Sequence, residues 1–189
     1  MKRETYVASE DSSLLRRVLA DYSGATCLEI GAGNGGNLRE LARRFAVAVG
    51  TDLARPGLED WREVGASYVL ADAASCFTRE TFDLVAFNPP YLQAGEISDR
   101  AVDGGMEGVE VALRFLKSAL NVVKKDGRIL FLLTSGNPIE QIEKECLTRG
   151  FRLEKKAELR LFYESLSVYE ASASGEAVRA KALPDALQP

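Results

Sequence analysis

The residues Asn88-Pro89-Pro90-Tyr91 directly follow the apolar stretch 81–87, TFDLVAF, which predicts a buried strand. Pro89 moves Asn88 out of the helical region, and both prolines have a fixed φ, so the segment is stiff. It offers two acceptors, the side-chain oxygen of Asn88 and the carbonyl oxygen of Pro89. Because an –NH2 group has two N–H donors, this pair can hold it while Tyr91 packs on the flat group that carries it. The segment therefore predicts a site that orients a planar nitrogen for reaction.

A glycine-rich turn, LEIGAGNGG (28–36), follows the first predicted strand. Glycines allow the tight turn and the close approach of a ligand, and the next helix points its amides at that ligand. Asp52 closes the second predicted strand, where an acid accepts hydrogen bonds from a ribose diol. Asp72 closes the third, where an acid can reach an adenine amino group. The pattern predicts a nucleoside site at the ends of these strands.

The glycine turn by itself leaves two cofactors open. Gly31, Gly33 and Gly36 fit G-x-G-x-x-G, and Asp52 lies about 20 residues further on, which also suits a dinucleotide. Glu29 favours S-adenosylmethionine, because an acid before the turn neutralises a cationic amino acid group and repels a pyrophosphate. Acids at the ends of successive strands also suit one nucleoside better than two. We predict S-adenosylmethionine, with NAD as the alternative.

The composition argues against several kinds of active site. The 189 residues include no histidine, which is the commonest general base and metal ligand. Cys27, Cys76 and Cys146 have no C-x-x-C spacing, so we predict buried free thiols in a reducing, cytoplasmic compartment and no metal site. The net charge of −4 disfavours a broad basic face for nucleic acid. No stretch reaches the roughly 18 apolar residues of a membrane span, and MKRETYVASE is not a secretory signal.

Short apolar runs alternate with amphipathic segments along the chain. They predict an α/β, doubly wound, Rossmann-like sheet of seven mostly parallel strands with a C-terminal antiparallel pair. The predicted strands are 25–31, 46–52, 67–72, 81–87, 128–134, 151–161 and 162–171, and the predicted helices are 12–22, 37–45, 56–64, 107–124 and 138–149. Residues 92–105 predict a loop. We expect residues 1–170 to form one domain and residues 171–189, which lack an apolar face, to form a flexible tail.

With these motifs the chain resembles class I S-adenosylmethionine-dependent methyltransferases that carry N-P-P-Y. Within them it is most similar to the HemK-related protein-glutamine methyltransferases of archaea and eukaryotes. The opening YVASEDSSLL (6–15) is similar to the family's Y-x-P-x-E-D-[ST]-x-L-L, although Ala8 stands at the proline. ESLSVY (164–169) is similar to the family's closing E-x-L-S-V, and the resemblance covers residues 5–170.

The resemblance implies methyl transfer to the glutamine of the Gly-Gly-Gln motif in a class-one translation release factor. The expected cofactor site comprises Ser12, Glu29, Gly31, Gly33, Asn34, Asp52, Leu53, Asp72, Ala73 and Asn88. The expected catalytic residues, which bind the substrate amide, are Asn88, Pro89, Pro90 and Tyr91. The resemblance also implies a small zinc-binding activator subunit, whose expected contact is the sheet edge formed by Ser67, Tyr68, Val69 and Leu70.

The sequence leaves other functions open. N-P-P-Y suits any flat –NH2 group, so an exocyclic amine of adenine or guanine in DNA or RNA is one alternative substrate. A protein lysine is another. A nucleic-acid enzyme is disfavoured because it needs a basic channel. Two other functions are a NAD-dependent reductase and a subunit that binds the cofactor only to stabilise a partner. Both leave N-P-P-Y without a role.

Overall fold

The structure, a computed structural model, describes residues 10–54, 65–89, 109–137, 139–162 and 164–174. Within them a seven-stranded sheet carries helices on both faces. The strands are β1 (Gly24–Ile30), β2 (Phe45–Asp52), β3 (Ser67–Leu70), β4 (Phe82–Phe87), β5 (Val123–Thr134), β6 (Phe151–Arg160) and β7 (Ser165–Ala173). The helices are α1 (Glu10–Leu19), α2 (Gly36–Ala42), α3 (Val109–Val122) and α4 (Ile139–Thr148).

The strand order is β3-β2-β1-β4-β5-β7-β6. Strands β1 to β5 are parallel, whereas β7 lies antiparallel between β5 and β6. This confirms the predicted doubly wound sheet with its C-terminal antiparallel pair. The order reverses between β1 and β4, and ligands of such sheets bind at the carboxyl ends of the strands beside this reversal.

The sheet is buried on both faces, as expected for parallel strands. Cys27 of β1 packs with residues of α1 and α2, whereas Leu28 and Ile30 pack with residues of α3 and α4. The rings of Phe87 and Phe131 stack with centroids 5.0 Å apart, which ties β4 to β5. Each such buried side chain stabilises the fold by roughly 1.5–3 kcal/mol. The sheet is therefore a rigid base for the residues that follow its strands.

The start of β2 differs from the sequence prediction. The helix expected over 37–45 ends at Ala42, and Phe45 is the first residue of β2, where it pairs with Gly24 of β1. A Cβ on Gly24 would lie 2.9 Å from the Phe45 ring. The ring therefore uses the space that this glycine leaves, and an aromatic residue suits a strand.

The end of α3 also differs. The predicted helix over 107–124 extends past the observed end of α3 at Val122, because Val123 already belongs to β5. The register between β4 and β5 shifts over this stretch, which identifies a bulge. A Cβ on Gly127 would lie 2.9 Å from the Asp83 carbonyl oxygen, and Lys124 Nζ binds the Asp83 carboxylate at 2.5 Å. Contacts with the neighbouring strand thus replace the predicted helix end.

Two predicted segments lie outside the described residues, and the predicted domain boundary lies near their end. The predicted helix over 56–64 and the predicted loop over 92–105 lie outside them. The expected domain boundary after residue 170 falls inside β7, because Ala171 pairs with strands on both sides and is fully buried. Residues 175–189 lie outside the described chain.

In the described part of the chain, none of the helices is long and apolar enough to cross a membrane. Nor does it contain a group of three or more His, Cys, Asp or Glu side chains placed to hold a metal ion.

Candidate active site

The residues predicted to bind ligand leave the sheet along one edge. Ile30 ends β1 and pairs with Thr51 of β2 on one side and with Phe87 of β4 on the other. Asp52, the last residue of β2, pairs with Leu70, the last residue of β3. Because these four strands are parallel, the residues after them line a common crevice.

The turn after β1 requires its glycines. Gly31 and Gly33 have φ values of +70° and +50°, which favour glycine. The backbone N–H groups of Gly31 and Ala32 donate to the Thr51 carbonyl at 2.8 and 2.9 Å. A Cβ on Gly31 would lie 3.2 Å from the Phe115 ring of α3. The turn is therefore held by β2 and pressed against α3, with its glycines on the crevice side.

Asp52 fixes this turn as well as closing β2. Its Oδ2 accepts the Gly33 N–H at 2.9 Å, and its Oδ1 accepts the Ala54 N–H at 3.0 Å. A carboxylate has about four acceptor positions, so two remain for a ribose diol. Leu53, the next residue, is 70% exposed beside the crevice. An exposed leucine here suits packing against a nucleobase.

Asp72 follows β3 and forms an ion pair that the sequence did not suggest. Arg114 Nη1 of α3 binds Asp72 Oδ1 at 2.9 Å. Asp72 keeps about half of its side chain exposed, so its other oxygen is available to an adenine amino group. Ala73 after it is buried and has a φ of +48°, which turns the chain sharply under the crevice.

Glu29 lies beneath the turn and is only 3% exposed. Its Oε1 accepts a hydrogen bond from Asn37 Nδ2 at 3.0 Å. Its Oε2 and the Asn37 Oδ1 are buried and have no hydrogen-bond partner among the described residues. Burial raises the pKa of Glu29 to about 8, although hydrogen bonds from the Asn37 side chain and the Leu38 backbone, and the Arg16 charge, act to lower it.

Buried acceptors without donors are rare in folded proteins. Glu29 Oε2 and Asn37 Oδ1 are two such acceptors below the glycine turn. The cationic amino group of S-adenosylmethionine carries three N–H donors and would satisfy both. The residues present therefore fit this cofactor, and they do not fit a pyrophosphate, which supplies acceptors only.

Two other predicted cofactor residues lie at helix starts. Asn34 Oδ1 accepts the Gly36 N–H at 3.1 Å, so its side chain closes the turn into α2. Ser12 lies in the first turn of α1, within the helix. Helices α1 and α2 pack on the same face of the sheet.

Asn88 and Pro89 directly follow β4, beside the Gly31 turn that follows β1. Pro89 is buried and Asn88 is half-buried. The side-chain oxygen of Asn88 is shielded from water. Pro90 and Tyr91 lie outside the described residues.

The sequence reasoning missed several residues of the site. Asn37 shares a helical face with the buried Leu41, four residues on, and a polar residue on such a face was the available signal. Arg16 and Arg17 are adjacent in the sequence, but only Arg17 is exposed, and the Nε of Arg16 is buried. No signal in the sequence indicated that Arg114 reaches Asp72.

The fold and the edge residues together define a class I methyltransferase: a doubly wound sheet with a glycine turn after β1, an acid after β2 and Asn-Pro after β4. Residues 28–89 match a family described as Methyltransferase domain. A Methanocaldococcus jannaschii protein named as a protein N5-glutamine methyltransferase, MJ0928, is 32% identical over 181 residues, which cover 89% of this chain and 91% of that protein.

Two further likenesses agree. Methyltransferase HEMK2 of Mus musculus is 30% identical over 195 residues, covering 91% of each protein. A solved structure of the E. cuniculi Mtq2–Trm112 complex, responsible for methylation of the eRF1 translation termination factor, matches with a TM-score of 0.72. The identity is 26%, over 89% of this chain and 98% of that chain. The chain belongs to the HemK-related protein N5-glutamine methyltransferases, which are S-adenosylmethionine-dependent class I enzymes.

Proposed function

We propose that the protein methylates the side-chain amide nitrogen (N5) of the glutamine in the Gly-Gly-Gln motif of a class-one translation release factor. The observation that carries the proposal is the rigid Asn88-Pro89 pair, which leaves β4 beside the glycine turn. The similarity to Mtq2, whose complex methylates the eRF1 termination factor, supports this substrate.

Asn88 and Pro89 act by holding the amide. The Asn88 side-chain oxygen accepts one N–H of the substrate, and the Pro89 carbonyl oxygen accepts the other. Both amide protons are then directed away from the crevice, so the nitrogen lone pair faces the cofactor. Such positioning supplies roughly 7–11 kcal/mol toward the barrier, and the two oriented dipoles add to it.

The chemistry needs no strong base from this chain. When bound, S-adenosylmethionine supplies an electrophilic methyl group on a sulfonium. The Asn88-Pro89 acceptors stabilise the positive charge that grows on the amide nitrogen as the N–C bond forms and the S–C bond breaks. The alkylated nitrogen is acidic and releases its proton to water, which agrees with a sequence that contains no histidine.

The buried position of the Asn88 oxygen adds a step to this scheme. The side chain rotates toward the crevice as the glutamine enters, so the clamp closes on the correct substrate. A substrate without an –NH2 group offers nothing to replace the contacts that Asn88 leaves. This coupling favours an amide over other side chains.

An activator subunit is the second part of the proposal. Strand β3 is at the edge of the sheet, and exposed edges pair readily with other chains. Leu70 is 52% exposed on this strand, beside half-buried Val69 and Tyr68. We assign the edge Ser67–Leu70 to a small zinc-binding subunit comparable to the Trm112 found with Mtq2. A Leu70→Arg variant should lose this partner in co-purification while still binding S-adenosylhomocysteine.

We also place the enzyme in the cytoplasm. Release factors act there, and the free Cys27, Cys76 and Cys146 are compatible with a reducing compartment. Cys27 and Cys146 are buried as predicted, whereas Cys76 is exposed.

The test is methyl transfer from labelled cofactor to a release factor, with and without its Gly-Gly-Gln glutamine. We expect label only when that glutamine is present. Asn88→Ala should lose at least about a hundredfold in rate, as removal of one preorganised polar contact does elsewhere. Its affinity for S-adenosylhomocysteine should stay near that of the parent. Label on DNA or RNA instead of the release factor, or near-normal turnover by Asn88→Ala, would contradict the proposal.

A further inference from the structure

Three buried polar atoms lie around the start of α2, and none has a hydrogen-bond partner among the described residues. They are Nε of Arg16, Oε2 of Glu29 and Oδ1 of Asn37. The two acceptors belong to side chains joined by a hydrogen bond of 3.0 Å. The charge of Arg16 also acts to lower the pKa of Glu29. One donor group from α1 and two acceptors from β1 and α2 are thus buried in the same part of the fold.

Arg16 reaches this place from α1. A Cβ added to Gly36 would lie 2.9 Å from Arg16 Nη2 and 3.7 Å from Arg16 Cζ. The guanidinium therefore packs against the backbone where α2 begins, one residue before Asn37.

The three atoms complement an α-amino acid group in its zwitterionic form. A carboxylate accepts hydrogen bonds from a guanidinium in a charge-assisted geometry. An ammonium donates to a carboxylate and an amide oxygen. A phosphate would leave Glu29 Oε2 and Asn37 Oδ1 without donors, and a simple amine would leave the guanidinium without an acceptor.

We propose that Arg16 binds the carboxylate of the amino acid part of S-adenosylmethionine, opposite Glu29 and Asn37, which receive its ammonium. The inference rests on the proposed function only through the identity of the cofactor. Because the three atoms are shielded from water, the Arg16 side chain must swing off Gly36 when the ligand enters. Its several rotatable bonds allow this.

Calorimetry separates this role from a merely structural one. The ligands are S-adenosylhomocysteine and its decarboxylated analogue, which keeps the amine and lacks the carboxylate. The parent protein should bind S-adenosylhomocysteine roughly 10- to 100-fold more tightly than the analogue, the range of a hydrogen bond to a charged group. Arg16→Ala should abolish this preference, because it should weaken the binding of S-adenosylhomocysteine and leave the binding of the analogue unchanged.

The control is Arg17→Ala, which removes the exposed neighbour on the same helix and should leave both affinities unchanged. Arg16→Lys keeps a charge, and it should recover part of the preference. Melting curves check that each variant folds; if Arg16→Ala does not fold, Arg16→Lys and Arg16→Gln take its place in the comparison.

Each contrary result has a distinct meaning. If Arg16→Ala weakens both ligands equally, Arg16 supports the turn or Glu29 and does not bind the carboxylate. If the parent binds both ligands equally, no carboxylate site exists, and the inference fails while the proposed function stands. If the parent binds S-adenosylhomocysteine not at all, the cofactor assignment itself fails.

Discussion

Cofactor binding should be coupled to proton release at Glu29. Burial raises the pKa of this carboxyl from 4.5 to about 8, against the hydrogen bond from Asn37 and the charge of Arg16. Near pH 7 the group is therefore mainly protonated, but an ammonium is bound best by the ionised form. Glu29 must therefore lose its proton when the ligand binds. This ionisation costs about 1.4 kcal/mol for each unit by which the pH lies below the pKa.

The magnitude follows directly. As the pH rises toward 7, the dissociation constant of S-adenosylhomocysteine should fall about tenfold per pH unit, and it should level off above about pH 8. Glu29→Gln cannot ionise, so its affinity should not follow this pH profile. At pH 8 it should bind roughly 10- to 100-fold more weakly than the parent, because the charged hydrogen bond is lost.

Calorimetry in buffers of different ionisation enthalpy counts the protons released. Near pH 6.5 we expect about one proton per ligand bound for the parent and fewer for Glu29→Gln. Asn34→Ala, on the exposed side of the same turn, is a matched control that should keep the parent's pH profile. A parent affinity that does not change between pH 6 and pH 8 would refute the role of Glu29. The same pH profile in Glu29→Gln would assign the proton to another group.

Three further perturbations follow from the contacts. Gly31→Ala should reduce stability by roughly 1–2 kcal/mol in chemical denaturation, because φ is +70° and the new Cβ meets Phe115, and unchanged stability would contradict this strain. Phe162→Ser should raise KM for the release factor about tenfold and leave S-adenosylhomocysteine binding unchanged, because this 95% exposed ring lies on the crevice side of the sheet; an unchanged KM would exclude it from docking. Burial raises the pKa of Glu170, but hydrogen bonds from Tyr22 and Arg128 outweigh it and hold that pKa below its usual value. Glu170→Gln should therefore lose roughly 1–3 kcal/mol of stability at pH 7, and the difference should shrink as the pH falls below about 4.5; melting curves that differ equally at all pH values would refute this.

The sheet could be predicted because its signal is local. Short apolar runs marked the parallel strands, and alternation with β-forming residues marked β6 and β7, although β5 starts at Val123, five residues before its predicted start. The N-P-P-Y segment follows β4 directly. Phe45 and Gly127 were misassigned because distant contacts decided their conformation. Phe45 packs on Gly24, and Gly127 packs against the backbone of β4, and neither partner is near in sequence.

The site was predicted in outline but not in its contacts. Asp52 ends β2 as expected, and Glu29 lies one residue before the end of β1, whereas β3 ends at Leu70, two residues before Asp72, which was expected to close it. Their partners came from other elements, since Arg114 reaches Asp72 from α3 and Asn37 reaches Glu29 from α2. Periodicity indicates which side of a helix is apolar, but it does not indicate how far a long polar side chain extends.

The antiparallel position of β7 has a consequence for the order in which the sheet forms during synthesis. Within the described chain β6 pairs with β7 alone, and β7 reaches the rest of the sheet only through β5. While the ribosome is still making residues 165–173, the strand β6 has been synthesised but has no neighbour to pair with. An enzyme proposed to act on the translation machinery thus completes its own sheet only after residues 165–173 have been made.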